Sequence, residues 1–239
     1  MGTVTLTSLV PIAQTALLSA PEAIRLGSLR RSTILFSQEQ AGDSVYLIEE
    51  GLVKITRTNE VGSRIILTIR GPGDLVGEEA LASDVQSYYG EAEVLTPATI
   101  YRIPREVAAR SAREDREWSG ALVTYLVGRR RALAEKVELL CLHDVEYRIL
   151  HYLAELSTLV KFSDSESGYQ LPITQLELAD LVGATRETTS TTLNQLERRN
   201  LVKLSRRMLT IPSPDALRAA AAEKTSGAKA PVARQAVEV

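Results

Sequence analysis

The sequence is short of the residues that build redox, metal and disulfide chemistry. Its single cysteine, Cys141, excludes an internal disulfide framework and leaves no cluster for a structural zinc or an iron–sulfur centre, so a buried free thiol is the expected role. Histidine is equally scarce. No His precedes His143, and the other is His151, so the first 142 residues cannot supply the His-and-carboxylate set that a metal-dependent barrel enzyme carries on its strands. No nucleophile elbow or phosphate-cradling Walker sequence is present either, and neither catalytic residues nor a cofactor or metal is expected. There is no apolar run of about 18 residues and no charged-then-apolar leader, which argues against membrane insertion or export and makes the cytoplasm the expected location. With 239 residues and 44% hydrophobic content, the chain can bury one large core or two modest ones, and the pattern favours two.

The most informative stretch runs from residue 174 to residue 200. Thr174 suits an N-cap with Glu177 three residues on, as a capping box requires, and Leu176, Ala179 and Leu181 or Val182 supply an inward face. Gly183 breaks the run. A second helix can start after Thr185, another N-cap residue, with Thr189, Leu193 and Leu196 as its buried stripe. Its other face carries Arg186, Glu187, Ser190, Thr191 and Asn194, side chains able to bond base edges or phosphates when a helix N-terminus enters a major groove. Six basic residues lie between Arg186 and Arg207 against Glu187 and Glu197, a local balance of +4 on a chain of formal net charge −2. A local positive patch is what phosphate attraction needs. A helix-turn-helix that binds DNA is therefore expected, rather than a helical pair inside another core or a module acting only on a protein partner.

Elsewhere the texture changes in blocks. Residues 1–30, with Pro11 and Pro21, suggest a short lead-in helix or two. From Thr33 to Ile103, short strand-like runs separated by Gly42-Asp43, Gly51, Asn59 to Gly62 and Gly71-Pro72-Gly73 indicate a sandwich, barrel or roll. A helical segment follows from about Arg105 to Leu142, lightly broken near residues 113–115. Within it Val123, Arg130 and Val137 share one heptad position, and Leu126, Leu133 and Leu140 the other. Branched residues at a with leucine at d favour a parallel two-stranded coiled coil, with Arg130 interrupting the seam. A stripe this narrow suits another helix better than a broad core, so a homodimer is expected. Residues 144–159 read as an amphipathic helix, 163–168 as a polar loop, and 201–211 as two short strands around Ser205-Arg206-Arg207. That last pair reads as a wing whose arginines, Arg206 and Arg207, can reach a phosphate or minor groove. From Glu223 onward the composition predicts a disordered tail. The expected organisation is a strand domain over 15–112, a dimerisation helix over 113–142, a winged helix-turn-helix over 143–222 and a tail over 223–239.

This order resembles the cyclic-AMP receptor protein and FNR family of bacterial transcription regulators. The resemblance spans roughly residues 15–222 and includes Pro72-Gly73-Asp74-Leu75-Val76-Gly77-Glu78, similar to the family's roll motif, and Gly183-Ala184-Thr185-Arg186-Glu187-Thr188, similar to the start of its recognition helix. It implies an α+β fold: an antiparallel β-roll of the cyclic-nucleotide-binding kind, a long dimerisation helix and a C-terminal winged helix-turn-helix. It also implies a homodimer on double-stranded, palindromic promoter DNA, with RNA polymerase as a further partner and activation as the expected outcome. Arg186 and Glu187 would read a G·C-containing half-site, Arg bidentate to guanine and Glu accepting from cytosine N4. A third position, often Arg in the family, is Thr191.

The resemblance also bears on the effector. By spacing, the positions that hold cyclic AMP in such proteins fall here on Gly77-Glu78, Tyr88-Tyr89 and Leu133-Ala134, and only the first pair matches. An enclosed cyclic phosphate without a cation is strongly disfavoured, so no productive cyclic-nucleotide binding is expected. Leu133, Ala134 and neighbouring apolar side chains would instead fill the space between roll and long helix. A small anion such as 2-oxoglutarate stays open as an alternative, since Arg129 loosely matches the arginine such sensors place on the long helix.

Overall fold

The computed structural model describes residues 16–82 and 87–227. The first 15 residues, which hold half of the expected lead-in segment, and residues 228–239 of the expected tail lie outside them. Residues 24–29 contradict the helical lead-in: Ile24–Leu29 is a strand, β1, which pairs antiparallel with a later strand. Its apolar alternation covers only Ile24 and Leu26 and breaks at Gly27-Ser28, where the register with that later strand shifts, which is too short a signal to mark a strand.

The strand-rich block folds as expected for a roll. β2 (Ile34–Phe36), β3 (Ser44–Glu50), β4 (Val53–Thr58), β5 (Arg64–Arg70), β6 (Leu75–Val76), β7 (Glu91–Val94) and β8 (Ala98–Pro104) join β1 in two four-stranded sheets, ordered β1-β8-β3-β6 and β2-β7-β4-β5. Every pairing in both sheets is antiparallel. Together they bury Phe36, Val45, Ile48, Val53, Val94, Ile100 and Ile103 in one core. Removing that much apolar surface from water is the main stabilising term of the domain.

α1 (Arg105–Glu114) and α2 (Arg116–Leu142) divide at Asp115, whose carboxylate accepts from the Glu117 and Trp118 N–H groups and so caps α2. The roll side of α2 buries Trp118, Leu122 and Tyr125. α3 (Val145–Leu156) is capped by Asp144 and leads into β9 (Phe162–Ser163) and β10 (Gly168–Leu171). These two strands form a hairpin whose turn, residues 164–167, is the expected polar loop, and only the end residues of that loop, 163 and 168, belong to the strands. α4 (Gln175–Val182) and α5 (Arg186–Arg198) make the helix-turn-helix, and β11 (Lys203–Ser205) with β12 (Met208–Ile211) makes the wing. α6 (Pro214–Gly227) closes the chain, and its last turn occupies the start of the segment expected to be disordered.

The two cores meet. Leu52, Ile66, Ile69 and Leu95 of the roll belong to the same buried cluster as Leu178, Leu193 and Leu196 of the helix-turn-helix. Cys141 is exposed rather than buried, because α2 turns its buried face through Leu139 instead.

Candidate nucleic-acid interface and roll cavity

α4 begins as its sequence dictates. Thr174 Oγ1 accepts from the Glu177 N–H at 3.1 Å, and Glu177 Oε2 accepts from the Thr174 N–H at 2.9 Å, a complete capping box. The Thr174 hydroxyl also donates to that carboxylate at 2.9 Å, so its proton is committed within the protein. Leu176, expected to face inward, is exposed, and Leu178 takes its place in the core. The turn requires Gly183, at φ 63°, where an added β-carbon would lie 2.7 Å from Leu140 Cδ2.

Thr185 caps α5 by accepting from the Thr188 N–H at 3.1 Å. Thr189, Leu193 and Leu196 are all fully buried, which fixes the helix rotation. That rotation leaves Arg186, Glu187, Thr191 and Asn194 exposed and Ser190 half-buried, together on the face directed away from the core. In the wing Arg206 and Arg207 form the two-residue turn between β11 and β12, both exposed, with Arg207 at φ 61°. A non-glycine residue in the left-handed region accounts for a tight hairpin without the expected glycine.

The seam residues of α2 are mostly uncovered. Val123 is 60% exposed, Leu133 54% and Val137 55%, with Leu126 and Arg130 exposed as well, while the roll takes the opposite face of the helix. Val127 widens the uncovered stripe. Leu140 differs: it is half-buried and packs on the Gly183 turn of its own chain.

Between roll, α2 and α3 lies a cavity of about 800 Å³. Gly77, at φ 76°, is forced by its surroundings, since a β-carbon there would come 3.0 Å from Tyr88 Cε1 and 3.2 Å from Phe36 Cε1. Glu78 accepts from Arg70 at 3.0 Å. Tyr88 is 0% exposed, stacks on Phe36 at 3.8 Å between centroids and donates from its hydroxyl to the Ser44 carbonyl at 2.6 Å. Burial pushes its phenol pKa well up. Tyr89 is turned outward beneath the Arg57 guanidinium, 4.3 Å from the ring centroid. Of the two residues that the resemblance assigns to a cyclic phosphate, Tyr88 packs in the roll core and Tyr89 lines the cavity, and neither is a cation.

Arg129 does face the cavity, pairing with Asp74 at 3.5 Å. Its neighbour there is Arg70, a residue that sequence patterning does not single out because it ends a strand like any edge arginine. Arg70 donates to the Tyr125 hydroxyl at 2.5 Å, and the Nε atoms of both Arg70 and Arg129 are buried without a partner. Leu133 lines the cavity but does not fill it, and Ala134 is exposed and outside it, contrary to the expected plug.

A roll, a long helix with a free apolar stripe and a winged helix-turn-helix with a polar outer face define a DNA-binding transcription regulator. Comparison with known proteins agrees. Residues 26–115 match the cyclic nucleotide-binding domain and residues 147–220 the Crp-like helix-turn-helix domain. The chain is 31% identical over 191 residues to the CRP-like cAMP-activated global transcriptional regulator of Mycobacterium tuberculosis, covering 78% of this chain and 84% of that one. It is 27% identical over 172 residues to the cAMP-activated global transcriptional regulator CRP of Salmonella typhimurium, covering 72% and 81%. FixK2 from Bradyrhizobium japonicum shares the fold with a TM-score of 0.71 at 21% identity, over 82% of this chain and 96% of that one. A CRP-family regulator from Thermus thermophilus does so with a TM-score of 0.71 at 24% identity, over 83% and 96%. This chain belongs to the cyclic-AMP receptor protein and FNR family. No helix among the described residues is long and apolar enough to cross a membrane.

Proposed function

We propose that the protein acts as a cytoplasmic homodimer, joined along α2, that activates transcription from palindromic promoter sites without a cyclic nucleotide and without enzymatic activity. Arg186 and Glu187 read base edges in successive major grooves, Ser190, Thr191 and Asn194 extend the contact, and Thr185, Arg206 and Arg207 meet phosphates. Thr174, at the start of α4, lies toward the backbone. RNA polymerase is the partner that this role implies.

The observation that carries the reading is the uncovered stripe of Val123, Leu126, Val127, Leu133 and Val137 on a helix whose other side is already packed. A contiguous apolar strip of this kind is costly in water, and a second α2 covers it with like against like. The cAMP activation named for relatives is not carried over to this chain, because residues 88 and 89, the positions that the resemblance assigns to a cyclic phosphate, are both tyrosines and offer it no cation. A second reading keeps a small-molecule effector. Arg70 and Arg129 both line the cavity, and each keeps a buried Nε without a partner beside its carboxylate contact, which favours a small anion over a nucleotide.

Sedimentation velocity tests the dimer. The wild-type chain should sediment as two copies, and Val137→Asp, which places an unpaired charge in the seam, should sediment as one and lose most of its affinity for palindromic DNA. A wild-type mass of a single chain at micromolar concentration contradicts the reading.

A further inference from the structure

One buried carboxylate joins the DNA-binding domain to the roll. Glu177, on the first helix of the helix-turn-helix, is 7% exposed. Arg31, in the turn after β1, donates to both of its oxygens at 2.9 and 2.7 Å, and Lys54 of β4, only 4% exposed, donates at 3.0 Å. Lys54 also pairs with Glu93 at 3.0 Å, and Arg31 donates to the Pro172 and Leu95 carbonyls, one on each side of the domain boundary. Burial alone would raise the Glu177 carboxyl, but the Thr174 N–H and Lys54 outweigh it and hold the pKa below the usual range. One turn further along α4, Asp180 pairs with Arg64 of β5 at 2.7 Å.

The far end of the same helix is fastened to α2. Lys136 Nζ donates to the Leu181 carbonyl at 2.8 Å, and Leu140 packs on Gly183. α4 is therefore held at its N-terminus by the roll and at its C-terminus by the dimerisation helix. Its own capping box would need neither. A carboxylate that already caps a helix gains nothing local from two cations of another domain, whereas a charge buried at a domain boundary costs free energy unless both sides stay together.

We infer that Glu177, clamped by Arg31 and Lys54, is a positioning residue for DNA binding: it fixes each recognition helix relative to the dimer axis and so sets the half-site spacing the protein accepts. This rests on the homodimer reading above. The consequence is geometric. Moving two half-sites apart by one base pair shifts one by about 3.4 Å and turns it by about 35°, which a rigidly held pair of recognition helices cannot follow.

The test uses full-length protein and duplexes that the wild type selects from a random library, resynthesised with the half-sites one or two base pairs closer or further apart. Wild type should lose roughly tenfold or more per base pair of displacement. R31M/K54M, which leaves the helix-turn-helix sequence intact, should lose less than about threefold while still discriminating bases within a half-site. Arg31→Lys should restore most of the spacing preference. Arg64→Ala, at the more exposed pair, provides a milder variant that keeps the fold and should loosen the preference partially. Unchanged spacing discrimination in R31M/K54M overturns the inference, and so does a loss spread equally over all spacings. Selection of single half-sites by the wild type would instead remove the homodimer reading, and the inference with it.

Discussion

Arg186 and Arg206 are both exposed cations, yet they meet different parts of a duplex. Arg186 opens α5 on the face set by the burial of Thr189, Leu193 and Leu196, where its planar fork can reach guanine O6 and N7. Arg186→Ala should cost about 1–3 kcal/mol on the specific site and relax preference at one base. Arg206→Ala, at the wing turn, should weaken all sequences alike and lower the salt slope by about 1. Competition binding against random DNA separates the two, and equal losses on specific and random DNA from Arg186→Ala would remove its role as a base reader. Lys136 makes a different prediction, about stability. Burial between α2 and α3, with Arg148 adding to it and Glu155 opposing it, lowers its pKa to about 8. The unfolded chain therefore binds the extra proton between about pH 8 and the ordinary lysine range, and conformational stability should rise with pH from about 8 to about 10. Lys136→Met should remove that rise, as read by urea unfolding at several pH values.

Among the elements, the caps, the turn and the second helix of the helix-turn-helix were legible because their signals are local. The capping box at Thr174 and Glu177, the cap at Thr185 and the i, i+4, i+7 stripe of α5 all lie within a turn or two of one another. Gly183 belongs to the same set. With a left-handed backbone and Leu140 2.7 Å from a β-carbon, Gly183→Ala should destabilise the domain by about 1–3 kcal/mol in thermal unfolding. What the sequence hides is non-local. The alternation in β1 is too short to mark a strand, and its place depends on β8, some seventy residues later. The hairpin of β9 and β10, with polar residues 164–167 as its turn, is extended by β12, which supplies a third strand beside Gly168–Leu171. Leu176 and Leu178 exchange roles because the roll, invisible in a local window, packs on the side of α4 that holds Leu178. Leu140 fits the heptad yet turns to the Gly183 turn for the same reason.

At the scale of the molecule, roll, long helix and helix-turn-helix behave as one packed body. Leu52, Ile66 and Leu95 lie in the core of the DNA-binding domain, and the Glu177 cluster bridges the same boundary. The absence of a cation at residues 88 and 89 was readable in the sequence, whereas the open cavity with Arg70 opposite Arg129 was not, since only the closed roll brings β5 against α2. These features support a regulator whose DNA-reading posture is built in rather than induced by a nucleotide. The most direct test is a binding isotherm of the nucleotide-free protein on a wild-type-selected palindrome, repeated with cyclic AMP in millimolar excess. The account expects two chains per duplex and an affinity changed by less than about twofold, since a ligand without differential affinity shifts no equilibrium. A gain of roughly tenfold or more with cyclic AMP, or one chain per duplex, would contradict it.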